Sequence, residues 1–594
     1  MKIAFISLPW PLFARPSVQL GVLKGYLKKV WPELQVKAMH PYLFVARDLG
    51  YELYHQISQS GWLSESISFA LLFPEREESL KKLALKGARR WGVSFSFEET
   101  VALVRKSLES YFSNQNWEDY RAVGISVCLN QLGASLWAAR WIKENYPELP
   151  VIFGGSTCAE DLGRGLLATF PWVDFVINRE GERPLYLLLK HLLSDGPFPE
   201  KGVFFRNKGQ IAGGGSLELS PSEIPSPIYE DYLKEVLSLP SEKRFFPMIP
   251  LEASRGCWWF KCQFCNLNLQ WRGFRKKPLQ QVLREIEAHA ASGFLDFAFM
   301  DNSFPLKEAR DLFEILSSHQ RDYHIFAELR ACYRRKDYQV FARGGLKWVQ
   351  IGIEALSSSL LKRLRKGTRL IENVAAMRHC EEAGIELEAN LILEFPGSTP
   401  EEVEETLKTL PYVFPFRPLK CVPFWLGYGS PVFKDPKAFG IQKIYPHPYY
   451  RHLLPAKFLK SFVPLIWAYR GDRGFQQKIW RPVKEAVKNW EKKYRALRKT
   501  HGPLLSYREG GNFILIRQVL PDGKILHHRL KGISRKIYLF LRDIRSWPEI
   551  ISQFSGLPAS QLKSFLEDLT RKRLLFGEED RFLALAIRYR RDSA

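Results

Sequence analysis

Cysteine is scarce in this sequence: there are 8 among 594 residues, three of them inside one nine-residue stretch. So few thiols in so long a chain exclude a disulfide framework and point to a reducing compartment. Long apolar runs are missing too. No stretch of roughly 18 residues escapes interruption by charge, which excludes a membrane-spanning helix. The opening Met1-Lys2-Ile3-Ala4-Phe5-Ile6-Ser7-Leu8 is broken early by Pro9 and Pro11 and is too short for the core of a signal peptide. The expectation is a soluble cytoplasmic protein with no membrane partner, suited to anaerobic or well-reduced cells. Acidic residues are short relative to basic ones, 63 against 87, and the resulting +24 favours an acidic partner. Charge alone leaves acidic peptide, nucleic acid and cofactor phosphates open. With 46% apolar residues there is no bulk disorder, and the length implies several domains.

The thiols that are present gather in Arg255-Gly256-Cys257-Trp258-Trp259-Phe260-Lys261-Cys262-Gln263-Phe264-Cys265. Three thiolates this close converge on one metal centre without help from the rest of the chain, yet they are one ligand short of the usual four. A structural zinc site recruits its fourth ligand at short range. Here no His lies nearby, the next Cys is Cys332, and His289 falls in a helical pattern. A [4Fe-4S] cluster with one iron open to a small molecule is the favoured reading. Incomplete zinc and free thiols are the remaining ones.

Along the chain, residues 2–8, 121–127, 151–153 and 175–177 read as strands, with helical patterns at 17–29 and 134–145 between them. Gly154-Gly155 follows one strand end and Glu180-Gly181-Glu182 another. Alternating strands and helices predict a parallel α/β sheet that binds ligands beyond its carboxyl strand ends. Residues 41–118 read as a helical, aromatic insertion over that face. Periodicity fades from 201 to 245, which predicts a linker.

Six strand–helix units then run from 246 to 435, too few for a closed eight-stranded barrel, so an open partial barrel is expected. Its strand ends carry Asp301, Glu328, Arg330 and Glu354. Residues 436–505 read as a helical extension whose long basic helix, 479–500, packs against the barrel. From 506 to 594 a hairpin around Pro521-Asp522-Gly523, three helices and a closing ribbon suggest a winged-helix-like α+β module.

Taken with the cysteine loop at the end of the first barrel strand, these residues resemble a radical S-adenosylmethionine (SAM) enzyme with an N-terminal cobalamin-binding domain, close to the subgroup that modifies ribosomally made peptides. The resemblance rests on Ser7-Leu8-Pro9-Trp10 with Arg15-Pro16-Ser17, on Gly154-Gly155 with Glu180-Gly181-Glu182, and on Ser254-Arg255-Gly256-Cys257-Trp258-Trp259. Asp301-Asn302, Gln350-Ile351-Gly352-Ile353-Glu354, Lys366-Gly367-Thr368 and Phe395-Pro396-Gly397 extend it over nearly the whole chain. Two departures stand out. The cysteines are spaced C-x4-C-x2-C where the family usually has C-x3-C-x2-C, and the Asp-x-His-x-x-Gly run that gives some cobalamin domains a lower histidine ligand is missing.

The resemblance implies an α/β chain in three parts: a Rossmann-like cobalamin-binding domain over 1–200, a partial (β/α)6 radical SAM barrel, and the winged-helix-like module. It implies a [4Fe-4S] cluster on Cys257, Cys262 and Cys265, with SAM on the open iron. An external one-electron reductant of the flavodoxin or ferredoxin type drives SAM cleavage to a 5′-deoxyadenosyl radical. Methyl transfer from cobalamin to an unactivated carbon of a precursor peptide follows, without a histidine on the lower face of cobalt. Asp301 is expected at the SAM ammonium, and Glu328, Arg330 and Glu354 near its ribose and carboxylate. Gly352, Phe395 and Gly397 are expected where SAM approaches the backbone. Cobalamin is expected over Ser7, Pro9 and Trp10, over Ser126, Asn130 and Gln131, over Gly154, Gly155, Ser156 and Thr157, and over Glu180, Gly181 and Glu182. Each of these polar residues has a structural alternative as a strand cap or ion-pair partner. Other radical outcomes on a peptide, tRNA modification, and a non-catalytic metal-binding role are the alternative functions. Cys332, Cys380 and Cys421 read as core thiols.

Overall fold

The computed structural model describes residues 1–589. In the first sheet β1 (Lys2–Ser7), β2 (Gln35–Met39), β3 (Tyr120–Ser126), β4 (Val151–Gly154) and β5 (Phe175–Ile177) run parallel in the order 2-1-3-4-5. Strand β2 is weak in the sequence because it is an edge strand with only its last two residues buried. Alternate residues serve opposite faces of this sheet. Ile3, Phe5 and Ile152 pack against the helices Val18–Val30 and Glu182–Ser194, while Ala4, Ile6 and Phe153 share a second core with the helices Leu132–Asn145 and Asp161–Thr169. Each fully buried Ile or Phe here contributes roughly 1.5–3 kcal/mol. The strand order reverses between β1 and β3, and that is where such sheets open a ligand crevice.

Residues 201–245, expected as a linker, are structured. β6 (Val203–Asn207) and β7 (Gln210–Gly214) form a hairpin that extends the first sheet antiparallel to β5, and a helix spans Glu230–Ser238. Gly213 and Gly214 have φ of 82° and 118°, so this glycine run is a distorted strand rather than a loop. The insertion is helical as expected. Its helix Gly61–Leu72 covers the ends of β1 and β3: Trp10 Nε1 donates to Ser64 O (3.1 Å) and Ser68 Oγ (3.0 Å).

The second sheet starts at β8 (Ile249–Leu251), after which the short strands β9 (Ser254–Arg255) and β10 (Arg275–Lys276) pair with each other. It continues with β11 (Asp296–Phe299), β12 (His324–Leu329), β13 (Leu346–Ile351) and β14 (Glu386–Glu388), all parallel, in the order 8-11-12-13-14. β15 (Asn390–Leu393) pairs with β16 (Lys420–Pro423), and a bridge from Glu354 to Leu391 carries the run across. Six strand positions result, and among the described residues β8 and β16 do not pair. The barrel is therefore open, as the count of six units implied.

Beyond it the chain is less helical than expected. β17 (Leu426–Gly427), β18 (Lys443–Pro446) and β19 (Ile466–Arg470) form a small antiparallel sheet before the helix Arg481–His501. These strands are short and carry Pro and Gly, which hid them from a periodicity reading. The long helix buries Val483, Val487, Trp490 and Tyr494, and Trp490 Nε1 donates to Phe414 O at 3.0 Å.

The last module begins with a meander of β20 (Leu505–Glu509), β21 (Phe513–Val519) and β22 (Ile525–Lys531). Helix Gly532–Phe540, β23 (Arg545–Ser546), helices Trp547–Gln553 and Ala559–Arg571, and the ribbon β24 (Leu575–Glu578) and β25 (Arg581–Ala584) follow. That succession, with sheet order 23-25-24, is a winged-helix arrangement. β26 (Ile587–Arg588) returns beside β20, and the remaining residues of the expected module, 590–594, lie outside the described ones. Among the described residues no helix is long and apolar enough to cross a membrane.

Candidate cofactor centre between the two sheets

The β9–β10 pair closes a loop at its base, Arg255 opposite Arg275, and all three clustered cysteines lie within it. Gly256 has φ +84° and a Cβ there would overlap Gly273 O, so only glycine fits the start of the loop. The loop rests on the turn at 364–367. Gln263 N donates to Leu364 O (3.0 Å), Trp259 Nε1 donates to Arg365 O (2.8 Å), and the absence of a side chain on Gly367 makes room for the Trp259 ring. Arg330, at the end of β12, donates to Lys366 O and lies 5.1 and 4.7 Å from the ring centroids of Trp258 and Trp259.

Cys257, Cys262 and Cys265 are each half-buried. Burial raises the Cys262 thiol, with Lys366 and Arg330 pulling the other way, and burial pushes Cys265 up to about 12. As free thiols Cys262 and Cys265 stay protonated, so metal loading must displace their protons. Among the described residues no three His, Cys, Asp or Glu gather tightly enough to hold one metal ion. A cubane makes no such demand, because each thiolate binds a different iron. Three thiols on one loop beside two cations fit its ligand number and its negative charge.

The strand ends divide by role. Both Asp301 oxygens are taken, Oδ2 by Ala253 N (3.0 Å) and Oδ1 by Ser254 Oγ, and burial pushes its pKa up to about 7. The structure thus makes Asp301 an anchor of the segment entering the loop, not the expected open receptor for an ammonium. Glu328 has no hydrogen-bond partner for its carboxylate among the described residues. Burial, with Asp301 and Glu354 nearby, raises it to about 7. Gly352 makes room for Lys366 Nζ, which pairs with Glu354 Oε1 at 3.1 Å. Phe395 is 0% exposed and packs against Phe424 and Phe439, so it is core and not a cofactor contact. Gly397, φ +76°, gives its N–H to Asp472 Oδ2 at 2.9 Å.

A cavity of about 240 Å³, partly open to solvent, lies between the two sheets. Ser126, Gly154, Gly155, Ser156, Glu180, Gly181 and Glu182 line it from the first sheet, and Glu252, Arg255, Met300 and Asn302 line it from the second. Gly155 is at φ +113°, where a Cβ would strike Val127 O. Phe5, Leu23 and Ile152 give the cavity an apolar floor. Asn130 and Thr157 instead line a second, smaller cavity with Trp62, Glu65 and Trp425. Four residues expected at cobalamin are packing residues. Ser7, Pro9 and Trp10 are buried, and Gln131 donates to Leu8 O (2.5 Å) and Ser7 Oγ (3.2 Å), tying the ends of β1 and β3 together. Short polar motifs at strand ends read alike whether they bind a ligand or close the sheet.

Trp271, which lines the cavity, was not singled out in the sequence, and Lys366 and Arg15 were quoted within motifs without a role. The aim of Lys366 at the thiols depends on Gly352 at the end of β13. Arg15 leaves the first domain to lie 5.0 Å from the Phe326 ring in the barrel. Cys332, Cys380 and Cys421 behave as core thiols: burial raises Cys332 to about 11 and Cys421 to about 12, and Cys380 higher still.

An open parallel barrel with three cysteines on the loop after its first strand, facing a 2-1-3-4-5 sheet across a cavity, defines a class. Residues 251–410 match the Radical SAM superfamily, and the chain carries a radical SAM domain. Its fold is similar to that of OxsB, a cobalamin-dependent SAM radical enzyme solved with aqua-cobalamin and SAM bound (TM-score 0.55, 16% identity, 85% of this chain and 69% of that one). It is equally similar to TsrM of Kitasatospora setae, a radical SAM methyltransferase (TM-score 0.55, 13% identity, 82% and 88%). At these identities the likeness is one of fold. In sequence it resembles an uncharacterized methyltransferase of Pyrococcus horikoshii, 26% identical over 302 residues, 48% of this chain and 63% of the relative. The chain thus spans less than two thirds of that relative's length.

Proposed function

We propose that the protein is a cobalamin-dependent radical SAM methyltransferase that acts on an unactivated carbon of a ribosomally made peptide. The observation that carries the reading is the cavity shared by the 2-1-3-4-5 sheet and the base of the cysteine loop. When bound, the cluster, SAM and cobalamin supply a carbon-centred radical and a methyl donor. The chain's own residues hold and shield. Cys257, Cys262 and Cys265 are the cluster ligands, and Lys366 with Arg330 offsets the thiolate charge. Glu328 is the free carboxylate at the barrel mouth, fit to receive an ammonium or ribose hydroxyl. The apolar floor of the cavity suits the nucleotide base of cobalamin, and Gly154-Gly155 admits its tail close to the backbone. Phe260, 53% exposed on the loop next to Lys261, offers a one-electron reductant an exposed contact beside the cluster cysteines.

The peptide part of the reading draws support from β22, a sheet-edge strand of seven residues whose exposure alternates and which carries His527, His528, Arg529 and Lys531. A free, basic edge of this kind suits an extended acidic segment added as a further strand. Reduced, reconstituted protein supplied with SAM, cobalamin and precursor peptide is expected to yield 5′-deoxyadenosine and a peptide heavier by one methylene. Iron held by four protein ligands, or no SAM cleavage under strong reductant, refutes the radical reading. Cleavage with an isomerised, cyclised or rearranged peptide points to another radical outcome, and a strongly salt-dependent affinity for RNA points to tRNA.

A further inference from the structure

Five charged side chains meet at the base of the cysteine loop. Arg255 Nη1 donates to Glu180 Oε2 (2.8 Å), and its Nη2 donates to Glu182 Oε1 (2.6 Å) and Glu252 Oε2 (3.0 Å). Arg275, opposite Arg255 across the β9–β10 pair, donates to the other Glu180 oxygen, Oε1. The two ends of the loop are therefore held by the two oxygens of one carboxylate, which comes from the first sheet. The Arg255 and Glu180 side chains are 6% and 1% exposed, so water does not substitute for either partner.

The position of this group matters for Cys257. Only Gly256 separates Arg255 from it, and that glycine is pinned against Gly273 O at positive φ, so displacement of Arg255 passes to the cysteine. At the other end, Glu180 and Glu182 flank Gly181 between β5 and the helix Glu182–Ser194, and all three line the large cavity.

We propose that Glu180 is a positioning residue. It clamps both ends of the cysteine loop to the first sheet and so sets the separation between the cavity and the cluster cysteines. The part concerning the cavity's occupant rests on the proposed function, while the clamp itself does not. A purely structural ion pair would affect global stability alone, whereas a clamp governs local order and one distance.

Two measurements on the full chain separate these. In Glu180→Gln, and in the milder Arg275→Gln, amide hydrogen exchange over residues 255–275 is expected to rise at least about tenfold, with the barrel helices and the C-terminal module unchanged. Unchanged exchange in the loop, or an equal rise throughout the chain, overturns the clamp. With cobalamin and cluster loaded, pulsed electron paramagnetic resonance between cob(II)alamin and the reduced cluster is expected to give one narrow distance distribution in the parent and a broadened one in Glu180→Gln. An unbroadened distribution in a fully loaded variant also overturns it. Failure of the parent to bind cobalamin refutes the proposed function, and the exchange result then decides the clamp by itself.

Discussion

Lys366 Nζ lies 3.1 Å from Glu354 Oε1, in the space that a Cβ on Gly352 would fill. Two residues of the one connection between β13 and β14 thus depend on a missing side chain at the end of β13. Replacing Gly352 by Ala forces the ammonium away from Glu354 and the thiols. The expected result is little change in global stability but reduced iron and sulfide per chain after anaerobic reconstitution, compared with the parent under identical conditions. Full cluster content in Gly352→Ala would show that Lys366 does not support the thiolates.

Glu328 makes a pH prediction. Its folded-state pKa is raised to about 7 by burial and by the neighbouring Asp301 and Glu354. Because the folded state binds the proton more tightly than the unfolded one, this group's contribution is complete below its unfolded value of about 4.3 and is lost as pH rises through about 7. Glu328→Gln is expected to gain stability relative to the parent at pH 8, on the order of 2 kcal/mol, and none at pH 4. Urea midpoints of the cofactor-free chain at the two pH values check it.

Arg378 is fully buried in the helix Leu370–Ala383 and joins the barrel to the last module. It donates to Ala586 O (3.1 Å) and Arg542 O (3.3 Å), and it pairs with Glu382. Truncation to Ala leaves Glu382 with Arg542 as its one ion-pair partner among the described residues. A destabilisation of about 3–5 kcal/mol is expected, visible as faster proteolytic release of the fragment beginning near 505.

On the edge strand, Arg529→Glu with Lys531→Glu removes basic charge from an exposed surface. Affinity for an acidic peptide is expected to fall about tenfold at low salt and less at high salt, measured by fluorescence anisotropy, with the circular dichroism spectrum unchanged. Equal affinity in parent and variant would place recognition elsewhere.

Much of this architecture is legible in the residues because it is written locally. The parallel character of the first sheet follows from short apolar strands alternating with amphipathic helices, and the six barrel units follow from the same pattern, whereas the strand order 2-1-3-4-5 appears only in the fold. The hairpin at Pro521-Asp522-Gly523 and the winged-helix order are equally local. The pieces that escaped have weak local signals: the edge strand β2, the glycine-distorted hairpin β6–β7, and the short strands after the barrel.

The cysteine spacing alone determined which thiols act together, because nine residues hold them within reach of one centre. The roles of the polar strand ends were settled only by the tertiary structure. An aspartate, a glutamate or a glutamine at such a position looks the same in sequence whether it faces a cavity or a neighbouring backbone. Folding engaged Asp301 with Ala253 and Ser254 and buried Gln131 against Leu8, yet gave the Glu328 carboxylate no hydrogen-bond partner among the described residues. It also brought Glu180 to Arg255 across 75 residues. Buried charge is tolerated only where a partner meets it, and which partner that is depends on contacts that no stretch of sequence contains.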